Sequence, residues 1–263
     1  MDKVMTRIKE NYDKLVNEGY EVVGVFLQGS QNYCLEYEGS DIDCKAIILP
    51  KFEDFVLGKP QISTTLVLED NSHIDLKDIR QMFLNIRKQN INFVEILFTK
   101  YKIMNPKYEN LFRPMFDNKE RMARYNIITT INSICGMCLE KYKALEHPYP
   151  ATMEKIEKFG YDSKQLHHII RLFEFEKRYI DGETYSDCLI SKDKDYLIRI
   201  KKESFHTLEE ARNIAKYHCD EIKKIAREYQ SNNVFSIDKE MEDVMNGVIT
   251  NIMRYNLKEE LLR

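Results

Sequence analysis

VFLQGSQNYCLEYEGSDIDCKAI, residues 25–47, is the stretch whose reading decides the fold. It begins inside a continuous apolar run, EVVGVFLQ (21–28), which is rich in β-formers and stops at Gly29-Ser30, and so reads as a buried strand. After ten intervening residues (31–40), Asp41-Ile42-Asp43 opens a second strand, IDCKAIIL (42–49), which Pro50 ends. Residues two apart in a strand point to the same side, so Asp41 and Asp43 project together while Ile42 turns to the core. Two carboxylates held this close repel each other unless a cation lies between them. Mg²⁺ is commonly held by one or two carboxylates plus substrate phosphates. Gly29 lets a phosphate approach the backbone, Ser30 adds a hydroxyl donor, and the following segment offers backbone N–H groups.

Outward from this stretch, ISTTLVL (62–68) reads as a third strand, EDN as a turn, and HIDLK (73–77) as a short fourth strand. In the fourth, Ile74 and Leu76 share one face, leaving His73, Asp75 and Lys77 on the other. If this strand lies beside the second, Asp75 joins Asp41 and Asp43 as a third acid. Three carboxylates can hold two cations, one activating an attacking hydroxyl and one clamping a triphosphate. Asp75 then serves the first of these and helps remove the hydroxyl proton. Val4, Ile8, Tyr12 and Leu15 mark an amphipathic helix over 2–18, a short acidic helix covers 52–57, and Asp78 reads as the N-cap of the next helix. INFVEILF (91–98) fits either a helix or a strand.

The whole chain has 263 residues, 43% of them hydrophobic, with 40 Lys+Arg against 43 Asp+Glu. That length supports one large domain or two small ones, and the apolar content excludes a disordered chain. A net charge of -3 excludes a histone-like coat for nucleic acid and leaves room for a local basic cleft. No apolar run reaches the roughly 18 residues of a membrane span, and the opening MDKVMTRIKE is charged at once, so the chain is expected to be cytoplasmic, with no membrane partner. The six cysteines form no framework of a secreted protein and are read as reduced. Residues 115–263 hold only four glycines and two prolines, which predicts long helices over about 118–145, 162–180, 207–229 and 237–258. The boundary is placed near residue 110, giving a catalytic domain over 1–110 and a helical domain over 111–263.

Some features are set aside. Cys135-Gly-Met-Cys138 lies within a helical pattern and is assigned to core packing, as are Cys34 and Cys44. His167 is expected to face solvent, and His73 to be a partnered surface histidine. In KKESFHTLEEA (201–211), Thr207 and Glu210 form a capping-box signature. In GYDSKQLHHIIRL (160–172), Lys164, His168 and Arg171 fall in one narrow stripe, opposite Leu166, Ile169, Ile170 and Phe173. By residue pattern alone the stripe is either an ordinary solvated face or a phosphate-holding wall.

The order of strand, Gly-Ser, Asp-x-Asp and a later strand with a lone acid resembles the DNA polymerase β-like nucleotidyltransferase superfamily. More narrowly the chain is similar to its bacterial and phage branch that includes the RNA-ligase-associated (RlaP-like) group. Gly29, Ser30, Tyr33, Leu35, Ser40, Asp41 and Asp43 match that group's first motif in register. Cys34 stands in place of the usual glycine, and Lys45 where an arginine is common. DIRQMFLNIRKQNINFVEILF (78–98) resembles a second block, with Asn90 and Glu95 matching and Ile91 replacing a proline. The 160–172 segment resembles a third, and together the blocks span most of residues 22–182.

The resemblance implies an α+β fold: a small mixed sheet with flanking helices, followed by a mostly helical domain. It implies a transferase that moves an NMP from an NTP to an acceptor hydroxyl and releases pyrophosphate, with Mg²⁺ or Mn²⁺ as cofactor. Asp41, Asp43 and Asp75 would be the metal ligands and catalytic acids, with Gly29 and Ser30 gripping the triphosphate. Lys164 and Arg171 would hold triphosphate or acceptor phosphate in a cleft, and His168 phosphate or ribose. The acceptor implied is an RNA or tRNA end, and a protein side chain or small molecule fits the residues equally well. Two rival readings stay open: a non-catalytic nucleotide- or RNA-binding module, and a toxin-type transferase that modifies a protein or tRNA.

Overall fold

The apolar–polar alternation of HIDLKD gives a strand buried on one face, and the near-continuous apolar run of VVGVFLQ gives one buried on both. The computed structural model describes residues 3–150 and 152–262. In chain order its elements begin α1 (Lys3–Asn17), β1 (Val22–Gln28), β2 (Asp43–Ile48), α2 (Phe52–Val56), β3 (Ser63–Val67), β4 (His73–Asp78), α3 (Ile79–Arg87), α4 (Ile91–Val94) and β5 (Lys102–Met104). There follow α5 (Pro106–Asp117), α6 (Lys119–Met122), α7 (Ile127–Ala144), α8 (Met153–Phe159), α9 (Ser163–Ile180), α10 (Tyr185–Leu189), α11 (Lys194–Glu203), α12 (Leu208–Asn232) and α13 (Lys239–Leu261). Single 3₁₀ turns cover Ser30–Tyr33 and Glu95–Leu97.

The chain divides into two compact units. The first comprises the residues up to Asn32, Gly39–Tyr125 and the segment from Ile237 onward. Its sheet has the order β3-β4-β2-β1-β5. The β2–β4 pair is parallel and the other neighbours are antiparallel, so the sheet is mixed. One face carries Val25, Leu27, Cys44, Ala46, Ile48, Ile74 and Leu76 against the Ile8 and Leu15 stripe of α1. The other carries Val23, Phe26 and Ile47 against α3, α5 and α13. Asp78 caps α3 as expected, its carboxylate accepting from the Arg80 backbone N–H at 2.8 Å.

The boundary near residue 110 is corrected. That position falls inside α5, whose Tyr108, Phe112 and Met115 belong to the first core. The C-terminal helix α13 returns to the same core through Met241, Met245, Val248 and Ile252. Arg87–Glu242 (2.9 Å) and Arg121–Asp238 (2.8 Å) fix it there. The 91–98 segment is resolved in favour of helix, with Asn90 as N-cap.

The second unit comprises Tyr33–Glu38 and Asn126–Ser236. Its central element is α9, with buried residues on all sides, packed against α7, α10, α11 and α12. The capping box at Thr207 and Glu210 starts α12 as the sequence predicts. Cys138 and Cys219 are buried between α7 and α12, Sγ atoms 3.3 Å apart, in keeping with a packing role for the CxxC segment. Among the described residues no helix is long and apolar enough to cross a membrane.

Candidate active site

Antiparallel pairing sets Gln28, the last residue of β1, opposite Asp43, the first of β2. The chain therefore leaves β1 through Gly29-Ser30 at the sheet end where the Asp-x-Asp segment arrives. Gly29 has φ +88°, a left-handed conformation that favours glycine, and a Cβ there would meet no atom within 4 Å. The backbone is thus open on that side. Asn32 secures the turn, its backbone N–H donating to the Gly29 carbonyl at 3.0 Å and its side chain to the Leu27 carbonyl at 2.7 Å. The Gln31 side-chain amide donates to the Asp41 carbonyl at 3.4 Å, tying the two arms together.

Asp41 is exposed and precedes β2, whose first residue is Asp43. Ile42 is buried in the α1-side core, as the alternation requires. Asp43 is one-third exposed, and its Oδ1 accepts from the His73 backbone N–H at 2.9 Å. The His73 ring Nδ1 lies 3.2 Å from the same oxygen. Parallel pairing of Cys44 with Ile74 places His73 directly beside Asp43, so the neighbour of that acid on β4 is a histidine.

Asp75 does reach the same face of the sheet, since β4 lies beside β2 with Lys45 opposite Asp75. It is not free, however. The Lys45 ammonium, on a side chain only 2% exposed, is ion-paired to it, and Lys77 adds a second ammonium at 2.7 Å. Burial pushes the Asp75 carboxyl up, but the two lysines outweigh it and hold it below the ordinary carboxylate range. Burial, joined by the charge of Lys77, holds the Lys45 ammonium below the ordinary lysine range despite the pull of Asp75. Lys45 also lies 4.2 Å from the Phe93 ring centroid. Among the described residues no group of three or more His, Cys, Asp or Glu is placed to hold a metal ion. Asp75 thus shares the sheet face but is engaged by Lys45 and Lys77, while Asp43 has His73 at its side.

The stripe on α9 also differs from expectation. Lys164 is exposed, and His168 is partly accessible. Burial, and then the charges of its neighbours, hold His168 well below the usual histidine range. Arg171 is 5% exposed, with its guanidinium carbon 4.0 Å from the centroid of the Tyr33 ring. His167, expected in solvent, is 2% exposed and donates to the Leu197 carbonyl at 3.0 Å; burial lowers its pKa to about 4. α9 carries polar groups inward because it is enclosed by other helices, which a two-faced reading of the helix does not anticipate.

His73 is a partnered surface histidine, as expected, its partner being Asp43, whereas the pairing of Lys45 with Asp75 was not anticipated. Lys45 was visible as the one charge in CKAIIL, and the partner of His73 becomes legible only once the strand register is known. No family model matches the chain, and no curated protein matches it. In structure it is similar to the nucleotidyltransferase-like protein of Exiguobacterium sibiricum 255-15, at 10% identity and a TM-score of 0.29, covering 85% of this chain and 74% of that one.

Proposed function

We propose that the chain is a metal-dependent nucleotidyltransferase, moving an NMP from an NTP to an acceptor hydroxyl with release of pyrophosphate. The observation that carries this reading is the Gln28–Asp43 pairing, which sets an open, left-handed Gly29 and the Ser30 hydroxyl at the same end of the sheet as Asp41 and Asp43. Gly29 admits a phosphate to the backbone and Ser30 donates to its oxygen. The donor set fits one hard divalent cation: Asp41 and Asp43 are accessible carboxylates of the kind that hold Mg²⁺ or Mn²⁺ together with substrate phosphates. Such a cation would neutralise charge developing on the transferred phosphoryl group. Asp75, already paired with two lysines, anchors Lys45 rather than serving as a ligand. His73 orients Asp43 through their shared hydrogen bonds. The acceptor we favour is an RNA or tRNA end, on the resemblance of the motifs; a protein hydroxyl has the same chemistry.

A second reading, a nucleotide-binding module without turnover, draws on the engagement of Asp75, since it removes one of three acids from the site. Equilibrium binding of each NTP with and without Mn²⁺ tests what the two readings share. Metal-dependent binding lost in Asp43→Ala supports the site; binding that ignores both the metal and the substitution sinks it.

A further inference from the structure

The six residues Tyr33–Glu38, which connect the Gly-Ser turn to the Asp-x-Asp strand, are folded into the helical unit. Tyr33 and Leu35 are buried, while Cys34 between them is exposed at φ +55°. Arg171 of α9 lies over the Tyr33 ring, and Lys201 and Lys202 at the end of α11 lie 4.8 and 5.9 Å from the centroid of Tyr37. Two basic elements of one unit thus grip two rings of one short segment. The grip is desolvated at Tyr33, where a cation–ring contact is at its strongest.

We propose that this segment is a clamp through which Arg171 positions Ser30 and Asp41, and that Arg171 is a positioning residue instead of a phosphate ligand. The inference rests on the transferase reading for its catalytic consequence and on contacts within the helical unit for its structural one. A 5%-exposed guanidinium facing a ring is poorly placed to meet an incoming phosphate. The path from the clamp to the reacting groups is short and stiff. Tyr33 is the last residue of the 3₁₀ turn that begins at Ser30, and Asn32 pins that turn to Gly29 and Leu27. On the other arm Asp41 lies three residues past Glu38, across Gly39 at φ +87°, and Gln31 bonds its carbonyl. Loss of the ring contact therefore loosens both arms at once.

Hydrogen–deuterium exchange on the full chain tests this, with Arg171→Met, Arg171→Lys, Tyr33→Leu and Tyr33→Phe. We expect Arg171→Met and Tyr33→Leu to speed exchange of the amides over 30–41 by about tenfold, with Arg171→Lys and Tyr33→Phe restoring most of the protection. In label-transfer kinetics the loosening variants should lower kcat by roughly tenfold and move KM for the NTP by less than about twofold. Unchanged exchange over 30–41 in both Arg171→Met and Tyr33→Leu overturns the clamp. So does a KM increase in Arg171→Met that Arg171→Lys cancels while exchange stays at the wild-type rate, because a direct phosphate contact behaves that way. Should one variant not fold, Lys201→Met loosens the Tyr37 side of the same segment and is read by the same exchange. A wild-type protein that transfers no label refutes the transferase reading alone, since the exchange result still decides the clamp.

Discussion

Lys45 and Asp75 stand opposite each other across the parallel β2–β4 pair, the lysine side chain buried on the sheet face that carries Asp43. Burial weakens Lys45 while the lysine pair strengthens the Asp75 anion, so the pair as a whole contributes little net stability. Breaking it is another matter. Asp75→Asn leaves the Lys45 ammonium buried beside Phe93 and should cost about 3 kcal/mol in urea unfolding, and Lys45→Met/Asp75→Asn should recover part of that loss. The lowered Asp75 pKa fixes the sign with pH: its share is present above the ordinary carboxylate pKa and is lost as pH falls through the lowered folded value. Between pH 5 and 8 it should be constant.

Glu176 of α9 is 0% exposed, both its oxygens lack hydrogen-bond partners among the described residues, and burial raises its pKa to about 8. A carboxyl raised in the folded state is fully tolerated below its unfolded value of 4.5, and it destabilises progressively as pH climbs towards the folded value. Glu176→Gln should therefore stabilise the helical unit on the order of 3 kcal/mol at pH 7, and by little near pH 4. Thermal unfolding at the two pH values checks it; equal gains at both contradict it.

Cys34 holds φ +55° with its side chain exposed. Cys34→Gly should relieve the strain and raise stability by up to about 1 kcal/mol, whereas Cys34→Val should lower it. A melting-temperature series over the three residues decides this.

Gly29→Ala meets open space, so any penalty comes from its φ of +88° and from the methyl group standing where a phosphate would approach. Stability should fall by about 1 kcal/mol. Metal-dependent NTP binding should fall by far more than that loss explains. Full retention of binding would place the phosphates elsewhere.

Much of the architecture was legible from local pattern. Val22–Gln28, Asp43–Ile48 and His73–Asp78 announced themselves by apolar runs and alternation, and α12 by its capping box. β5, with three residues, is too short to carry a period. The return of α13 to the first core is a long-range choice between two apolar surfaces, and periodicity says only that a helix has an apolar face. In the site, Gly29, Ser30, Asp41 and Asp43 came from chain order. The contacts around them did not: Lys45 on Asp75 and His73 on Asp43 follow from strand register.

The central claim is that Asp41 and Asp43, reached through Gly29-Ser30, support transfer of a nucleotide. The most direct measurement offers purified protein each α-labelled NTP with Mg²⁺ or Mn²⁺, in the presence of total RNA and cell protein, beside Asp41→Ala/Asp43→Ala and Asp75→Asn. The account predicts label moving to one class of acceptor with pyrophosphate released. That transfer should be abolished in the double variant and only weakened in Asp75→Asn. Transfer that survives loss of Asp41 and Asp43, or no transfer from any NTP to any acceptor, would contradict it.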